Sequence, residues 1–428
     1  MTSRTRIFCT FRKIPKGTNH RRLLMISDLE HIFSDSTKNM KRSAIREILK
    51  FLQKPEIISF GGGLPAPESF PVKELKQIFN ELMDEEGPEA LQYGATEGVR
   101  ELRKILMERY QKDGLNIGID NLAITTSSQQ ALYILGKIFL DKGDKVVCGL
   151  PSYLGGISAF RTFGADMHGI RTDEKGMRSD HLEEKLKEFR NQGTKPKFIY
   201  VIPDFQNPTG ITMPESRRKE IIKLARKYDV LIVEDNPYRE IRFEGEPQRT
   251  IFELDNSWQA ITLGSLSKTF SPGLRLGWAI GDKNIIDQMV IAKQSLDLCT
   301  PTLTQKLAAR YIKEGYFDEH LKKTTRQYKR KRDNMIEAFR KYMPEGVTWN
   351  EPHGGLFLFL YLPEYMDSQK LFYTAIKKEV AFVMGDVFHC DGSGKNTLRI
   401  NFSYVDEERA TEGIKRLAHA IKEEMKTQ

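Results

Sequence analysis

The chain has 428 residues, of which 39% are hydrophobic and 29% charged, an ordinary balance for a globular protein with a large core. No apolar run is long enough to span a bilayer, and the four cysteines (Cys9, Cys148, Cys299, Cys390) contain no CxxC pair, which argues against a zinc site or a disulfide framework. The formal charge of +9 is concentrated at the start: residues 1–24 hold seven Lys and Arg and no acid, and removing those seven from the 67 basic residues leaves 60 against 58 acidic ones. No basic stripe that would track a nucleic-acid backbone remains, so no nucleic-acid or membrane partner is expected.

In chain order, the basic leader 1–24 comes first, expected to be disordered or not native. It reads as an organelle presequence, as sequence preceding a true start at Met25, or as a plain tail. Lys13-Ile14-Pro15-Lys16-Gly17 would break an amphipathic presequence helix, and Arg21-Arg22 can be encoded by AGGAGG, a purine-rich ribosome-binding sequence. Cytoplasmic placement is expected, with an organelle matrix as the alternative if the leader is a presequence. The segment 25–70 is expected to pack with a small C-terminal domain.

From about Asp120, short apolar runs alternate with helical patterns. Strands are expected at Leu122–Thr126, Lys145–Cys148, Phe198–Ile202, Val230–Glu234, Ala260–Leu263 and Leu276–Ile280. Helices are expected at Ser128–Leu140 and Arg217–Tyr228, from apolar positions at helical spacing. This alternation predicts an α/β fold with a large, mostly parallel sheet covered by helices on both faces, assigned to 71–304. Beyond it the pattern changes to a long charged helix through Lys322–Tyr342, a strand in Gly355–Leu360, a helix near Ser368–Glu379, a strand at Leu398–Phe402 and a closing helix from Glu407. These make a smaller α+β domain, assigned to 305–428.

Ligand sites in such sheets gather at the carboxyl ends of the strands. After the first strand comes Ser127-Ser128-Gln129-Gln130, opening a helix whose unpaired N–H groups and positive dipole suit an anion. After later strands come Asp204-Phe205-Gln206-Asn207-Pro208-Thr209-Gly210, then Asp235-Asn236-Pro237-Tyr238, then Ser265-Leu266-Ser267-Lys268 with Arg275 beyond. Each alone is an ordinary cap, turn or solvated charge. Together, in order and at one sheet edge, they describe a site. Gly61-Gly62-Gly63 lacks the Lys-Ser/Thr of a Walker loop, no GxGxxG opens a helix after a strand, and the eight histidines form no metal-binding spacing.

The set SSQQAL, PSYLGG, FQNPTG, VEDNPY, SLSKTFSPGLRLGW and LRINFS resembles the fold-type-I, pyridoxal-phosphate-dependent class I/II aminotransferases, and is most similar to their 2-aminoadipate/kynurenine branch. The resemblance runs from about Arg46 to Phe402. It implies the cofactor pyridoxal 5'-phosphate, bound through a Schiff base on Lys268, whose amine also serves as proton shuttle. Asp235 would pair with the pyridine nitrogen, which makes the ring an electron sink. Asn207 and Tyr238 would hydrogen-bond the ring hydroxyl oxygen, Tyr153 would stack on the ring, and a cis bond often precedes the residue at Pro208.

Ser128, Gln129, Ser265, Ser267 and Arg275 would hold the phosphate; the family usually has Gly where Ser127 stands. Arg399 would grip the substrate carboxylate, completed by Asn207 and Gly63. Tyr93 resembles the tyrosine that reaches the cofactor phosphate of the partner subunit, implying a homodimer with shared sites. Arg46 resembles a mobile arginine that meets the substrate side chain, pairing with an acidic group or stacking on an aromatic one. The implied activity moves an amino group from an L-amino acid (2-aminoadipate, aromatic, branched or glutamate-like) to a 2-oxo acid such as 2-oxoglutarate. A lyase or decarboxylase on the same scaffold stays open, as does an aminotransferase-like regulator, although the segment before Ser59 is short for a DNA-binding module.

Overall fold

The computed structural model describes residues 32–34, 37, 56–255 and 257–426. Its main feature is an eight-stranded sheet, here numbered β1 (Leu122–Thr125), β2 (Lys145–Leu150), β3 (Asp166–Asp173), β4 (Gly176–Met177), β5 (Phe198–Val201), β6 (Leu231–Asp235), β7 (Ala260–Ser265) and β8 (Gly277–Ile280). The spatial order is β1-β8-β7-β6-β5-β2-β3-β4. Strands β7, β6, β5, β2 and β3 are mutually parallel, whereas β8 runs antiparallel to both β1 and β7, and β4 antiparallel to β3. Strands β5 and β7 inside the sheet, and even the end strand β1, are buried along their whole length, the pattern of a sheet covered on both faces.

One helical layer, including Ser127–Phe139 and Leu154–Arg161, buries Ala131, Leu132, Leu135, Ile157 and Phe160 with Val146, Cys148 and Ile261. The opposite face carries Leu102, Leu106, Ile221, Ala225, Leu307 and Phe317 against Val147, Ile199 and Ile232.

A second, four-stranded antiparallel sheet joins Thr348–Trp349, Phe357–Tyr361, Thr397–Asn401 and Val383–Met384. Its core takes in Ile58, Phe60 and Ala66, and Ile58–Ser59 pairs in parallel with Val380–Ala381. The change of core falls inside the long helix Tyr316–Tyr342: Phe317 packs with the large sheet and Tyr328 with the small one. The helix Thr302–Lys313 also packs with the large sheet, so the expected division at 304/305 does not coincide with the change of packing. An amphipathic pattern marks which face is buried but does not name its partner. Among the described residues no helix is long and apolar enough to cross a membrane. The leader, Met25 and Arg46 lie outside the described residues.

Candidate active site

The connection from β7 to β8 puts the lysine and Arg275 beside one cavity. Ser265 at the end of β7 is the register partner of Gly277 at the start of β8, so the intervening chain leaves and re-enters the sheet at one edge. Within it, Pro272–Leu274 is a short 3₁₀ turn and Arg275 takes a left-handed backbone, φ 54°, which returns its side chain toward the neighbouring strand. Arg275 Nη2 donates to the hydroxyl of Ser127.

The helix beginning at Ser127 follows β1, which pairs with β8. Ser127 has φ 68°, the left-handed region that favours glycine, which accounts for the glycine usual at this position. The helix N-cap is Thr126, so Ser128 belongs to the first turn and does not cap the helix. A Cβ on Gly277 would stand 2.5 Å from the backbone nitrogen of Ser128; only glycine lets the helix start approach the strand so closely.

Ser127, Ser128, Pro272 and Arg275 line a cavity of ≈ 230 Å³, which Lys268, Asp235, Tyr238, Asn207, Tyr153, Gly63 and Arg399 complete, together with Gln129, Ser265 and Ser267. The structure thus brings together every sequence-derived site residue it describes except Tyr93, which is 77% exposed and outside the cavity. The Asn207–Pro208 bond is cis. Asn207 Nδ2 donates to Tyr238 Oη at 3.4 Å, and Tyr153 Oη donates to Gln129 Oε1 at 3.1 Å. Lys268 Nζ donates to the Gly63 carbonyl at 2.6 Å, so the glycine segment and the lysine share one wall.

Arg399 reaches in from the small sheet. It donates from Nη1 to Asn207 Oδ1 and from Nη2 to the Gly61 carbonyl, both at 2.9 Å, while its buried Nε has no partner among the described residues. Its guanidinium lies 4.2 Å from the Phe357 ring centroid and 5.0 Å from that of Phe388. Stacking on aromatic faces fixes the plane of the donor fork. Phe357 also meets Tyr238 edge-on at 5.7 Å. Neither phenylalanine was singled out from sequence, since each sits in an apolar stretch that reads only as core.

Burial sets the electrostatics. The Lys268 amine is pushed down to about 8 by desolvation, then by the charges of Arg399 and Arg275, so at pH 7 about a tenth of it is neutral and nucleophilic, far more than for an ordinary lysine. The Asp235 carboxyl is pushed up to about 7 by desolvation, opposed by a hydrogen bond from Tyr200. Burial also lowers Arg399 to about 10 and raises Tyr153 to about 12.

A site of this kind leaves polar atoms for a ligand. Asp235 Oδ1 and Ser267 Oγ are buried without a partner among the described residues, although both residues line the cavity. Such atoms are costly unless a ligand or water satisfies them. An unpaired carboxylate oxygen suits a cationic N–H. Serine hydroxyls, a helix N-terminus and Arg275 suit a phosphate, and a neutral lysine suits an aldehyde. The residues present therefore fit pyridoxal 5'-phosphate.

The comparisons agree. The family described as aminotransferase class I and II matches residues 55–417. Aromatic-amino-acid aminotransferase 1 of Thermococcus litoralis is 45% identical over 401 residues, covering 93% of this chain and 96% of its own length. The kynurenine aminotransferase structure of Pyrococcus horikoshii, solved with PMP, superposes with TM-score 0.91 at 46% identity, covering 94% of this chain and 99% of that one. The structure of LysN, the alpha-aminoadipate aminotransferase of Thermus thermophilus, complexed with N-(5'-phosphopyridoxyl)-L-leucine, gives TM-score 0.87 at 37% identity, covering 94% and 100%. Sequence, fold and site chemistry converge: the chain belongs to the class I and II aminotransferases and is a pyridoxal-phosphate-dependent aminotransferase of fold type I.

Proposed function

We propose that Lys268 is the attachment and proton-transfer residue of this enzyme, and that Arg399 and Asn207 hold the carboxylate of an amino donor whose side chain is acidic or aromatic. The observation that carries this reading is one cavity containing a lysine whose amine is much more easily deprotonated than usual, an arginine with a free buried N–H, and an aspartate with an unpaired oxygen. Pyridoxal 5'-phosphate supplies the aldehyde and the electron-accepting ring. The chain supplies the rest. Asp235 Oδ1 would accept from the ring N–H, and Asn207 and Tyr238 would hydrogen-bond the ring hydroxyl. Tyr153 would stack on the ring. Ser128, Gln129, Ser265, Ser267 and Arg275 would hold the phosphate. Lys268 Nζ takes the proton from the substrate Cα, and Gly63 borders the carboxylate site.

The donor preference follows from two relatives, named for aromatic amino acids and alpha-aminoadipate. Arg46 is assigned to the donor side chain and 2-oxoglutarate to the acceptor role. We assign the enzyme to the cytoplasm and to a homodimer in which Tyr93 reaches the partner's phosphate site. The exposed Leu91, Tyr93, Leu296 and Leu298 support a surface covered by a second copy. A donor panel with 2-oxoglutarate on wild type and Arg46→Ala tests the side-chain assignment. The substitution should lower 2-aminoadipate and glutamate turnover more than leucine turnover; equal losses would remove Arg46 from the site.

A further inference from the structure

Asp235 does not meet the cavity alone. Tyr200 lies on β5, Asp235 on the adjacent β6, and the register partner of Tyr200 is Val233. Side chains two apart on a strand share a face, so Tyr200 and Asp235 are diagonal neighbours. Tyr200 Oη donates to Asp235 Oδ2 at 2.9 Å, with the tyrosine 0% and the aspartate 1% exposed. That bond occupies one carboxylate oxygen and leaves Oδ1 as the unpaired atom. The phenol reaches this place because position 156 is glycine: a Cβ there would stand 2.8 Å from Tyr200 Cε1 and 3.0 Å from its hydroxyl. Phe160, one helical turn on, meets the Tyr200 ring edge-on at 5.5 Å and closes the other side.

We propose that Tyr200, admitted by Gly156, is a positioning residue that orients the Asp235 carboxylate and holds it in its charged form for the cofactor's ring nitrogen. Toward a carboxylate a neutral phenol can only donate, and a donor favours the ionised state. Burial holds the Tyr200 phenol well above its ordinary range, so it stays a donor at every working pH. The inference rests on the assignment of Asp235 to the ring nitrogen.

The test is holoenzyme carrying Tyr200→Phe, which keeps the ring and removes the donor. Loss of a hydrogen bond to a charged group should weaken cofactor affinity, read from the visible absorbance, by about tenfold. Turnover should fall by a similar factor with KM for the amino donor unchanged, because Arg399 is untouched. The pH at which the visible band titrates should also shift. Gly156→Ala, which retains the phenol but displaces it, should move all three readouts in the same direction, and it carries the test if Tyr200→Phe does not fold. Unchanged affinity, turnover and titration in the folded variant would overturn the inference. Asp235→Asn separates the premise: if it retains cofactor affinity and turnover, the Asp235 assignment itself fails. If it loses both while Tyr200→Phe matches wild type, only the role of Tyr200 fails.

Discussion

Arg399 of the small sheet donates to the side-chain oxygen of Asn207, which follows β5 of the large sheet, at 2.9 Å. One hydrogen bond thus ties the arginine assigned to the substrate carboxylate to a residue assigned to the cofactor. Arg399→Ala should lower kcat/KM for the amino donor by about 10²-fold, the scale of losing charge-assisted hydrogen bonds, with the cofactor band retained. Steady-state kinetics with absorbance spectra check this; loss of the cofactor band with an unchanged donor KM would contradict it.

Ser127 takes a backbone conformation that costs a serine more than a glycine. Ser127→Gly and Ser127→Ala both lose the hydroxyl bonded to Arg275, so their difference isolates the backbone. The glycine variant should be the more stable by about 0.5–1 kcal/mol, the left-handed penalty less the extra entropy of an unfolded glycine. Denaturant midpoints of the two apoproteins measure it. An alanine variant as stable as the glycine variant would mean the strain is absent.

The burial of Asp235 costs stability. Its folded-state value, raised to about 7 from the ordinary 3.8, means that between those limits the folded apoprotein binds more protons than the unfolded chain. Stability therefore falls as pH rises through that window. Asp235→Asn, which has no such titration, should be more stable than wild-type apoprotein above pH 7, by an amount on the order of 4 kcal/mol, with the difference fading below about pH 4. Its turnover should be lost. Unfolding curves at several pH values decide; a pH-independent difference would refute the burial penalty.

Tyr93, exposed in the single chain, makes a prediction about assembly. Lys268→Ala and Tyr93→Ala should each be impaired as homodimers. Mixed after reversible dissociation, half the dimers carry one intact site, so activity should recover to about a quarter of wild type. No recovery, with subunit exchange shown by mass, would place Tyr93 in its own subunit's site or outside any site.

Much of this was legible in the sequence because strand ends carry the chemistry. Asp235, Ser265 and Lys268 each follow an apolar run, and the parallel topology places those ends along one edge. The boundaries held to within a residue or two where the apolar period was clean, as at Glu215–Tyr228 and Thr397–Asn401. What was not legible has a common cause. Tyr200 and Phe357 stand in apolar runs where an aromatic residue is ordinary core, and only register and distance reveal that one touches Asp235 and the other Arg399. The use of Gly156 appears only when its missing Cβ is seen to overlap Tyr200. The packing of residues 302–317 on the large sheet depends on a partner far away in sequence.

The central claim is that Lys268 and the bound cofactor move an amino group. The most direct measurement adds an amino donor to the holoenzyme with no 2-oxo acid present and follows absorbance and released product. The account predicts conversion of the cofactor to its amine form with one equivalent of 2-oxo acid released per site, and neither with Lys268→Ala. Release of ammonia or carbon dioxide without that conversion, or conversion undiminished in Lys268→Ala, would contradict it.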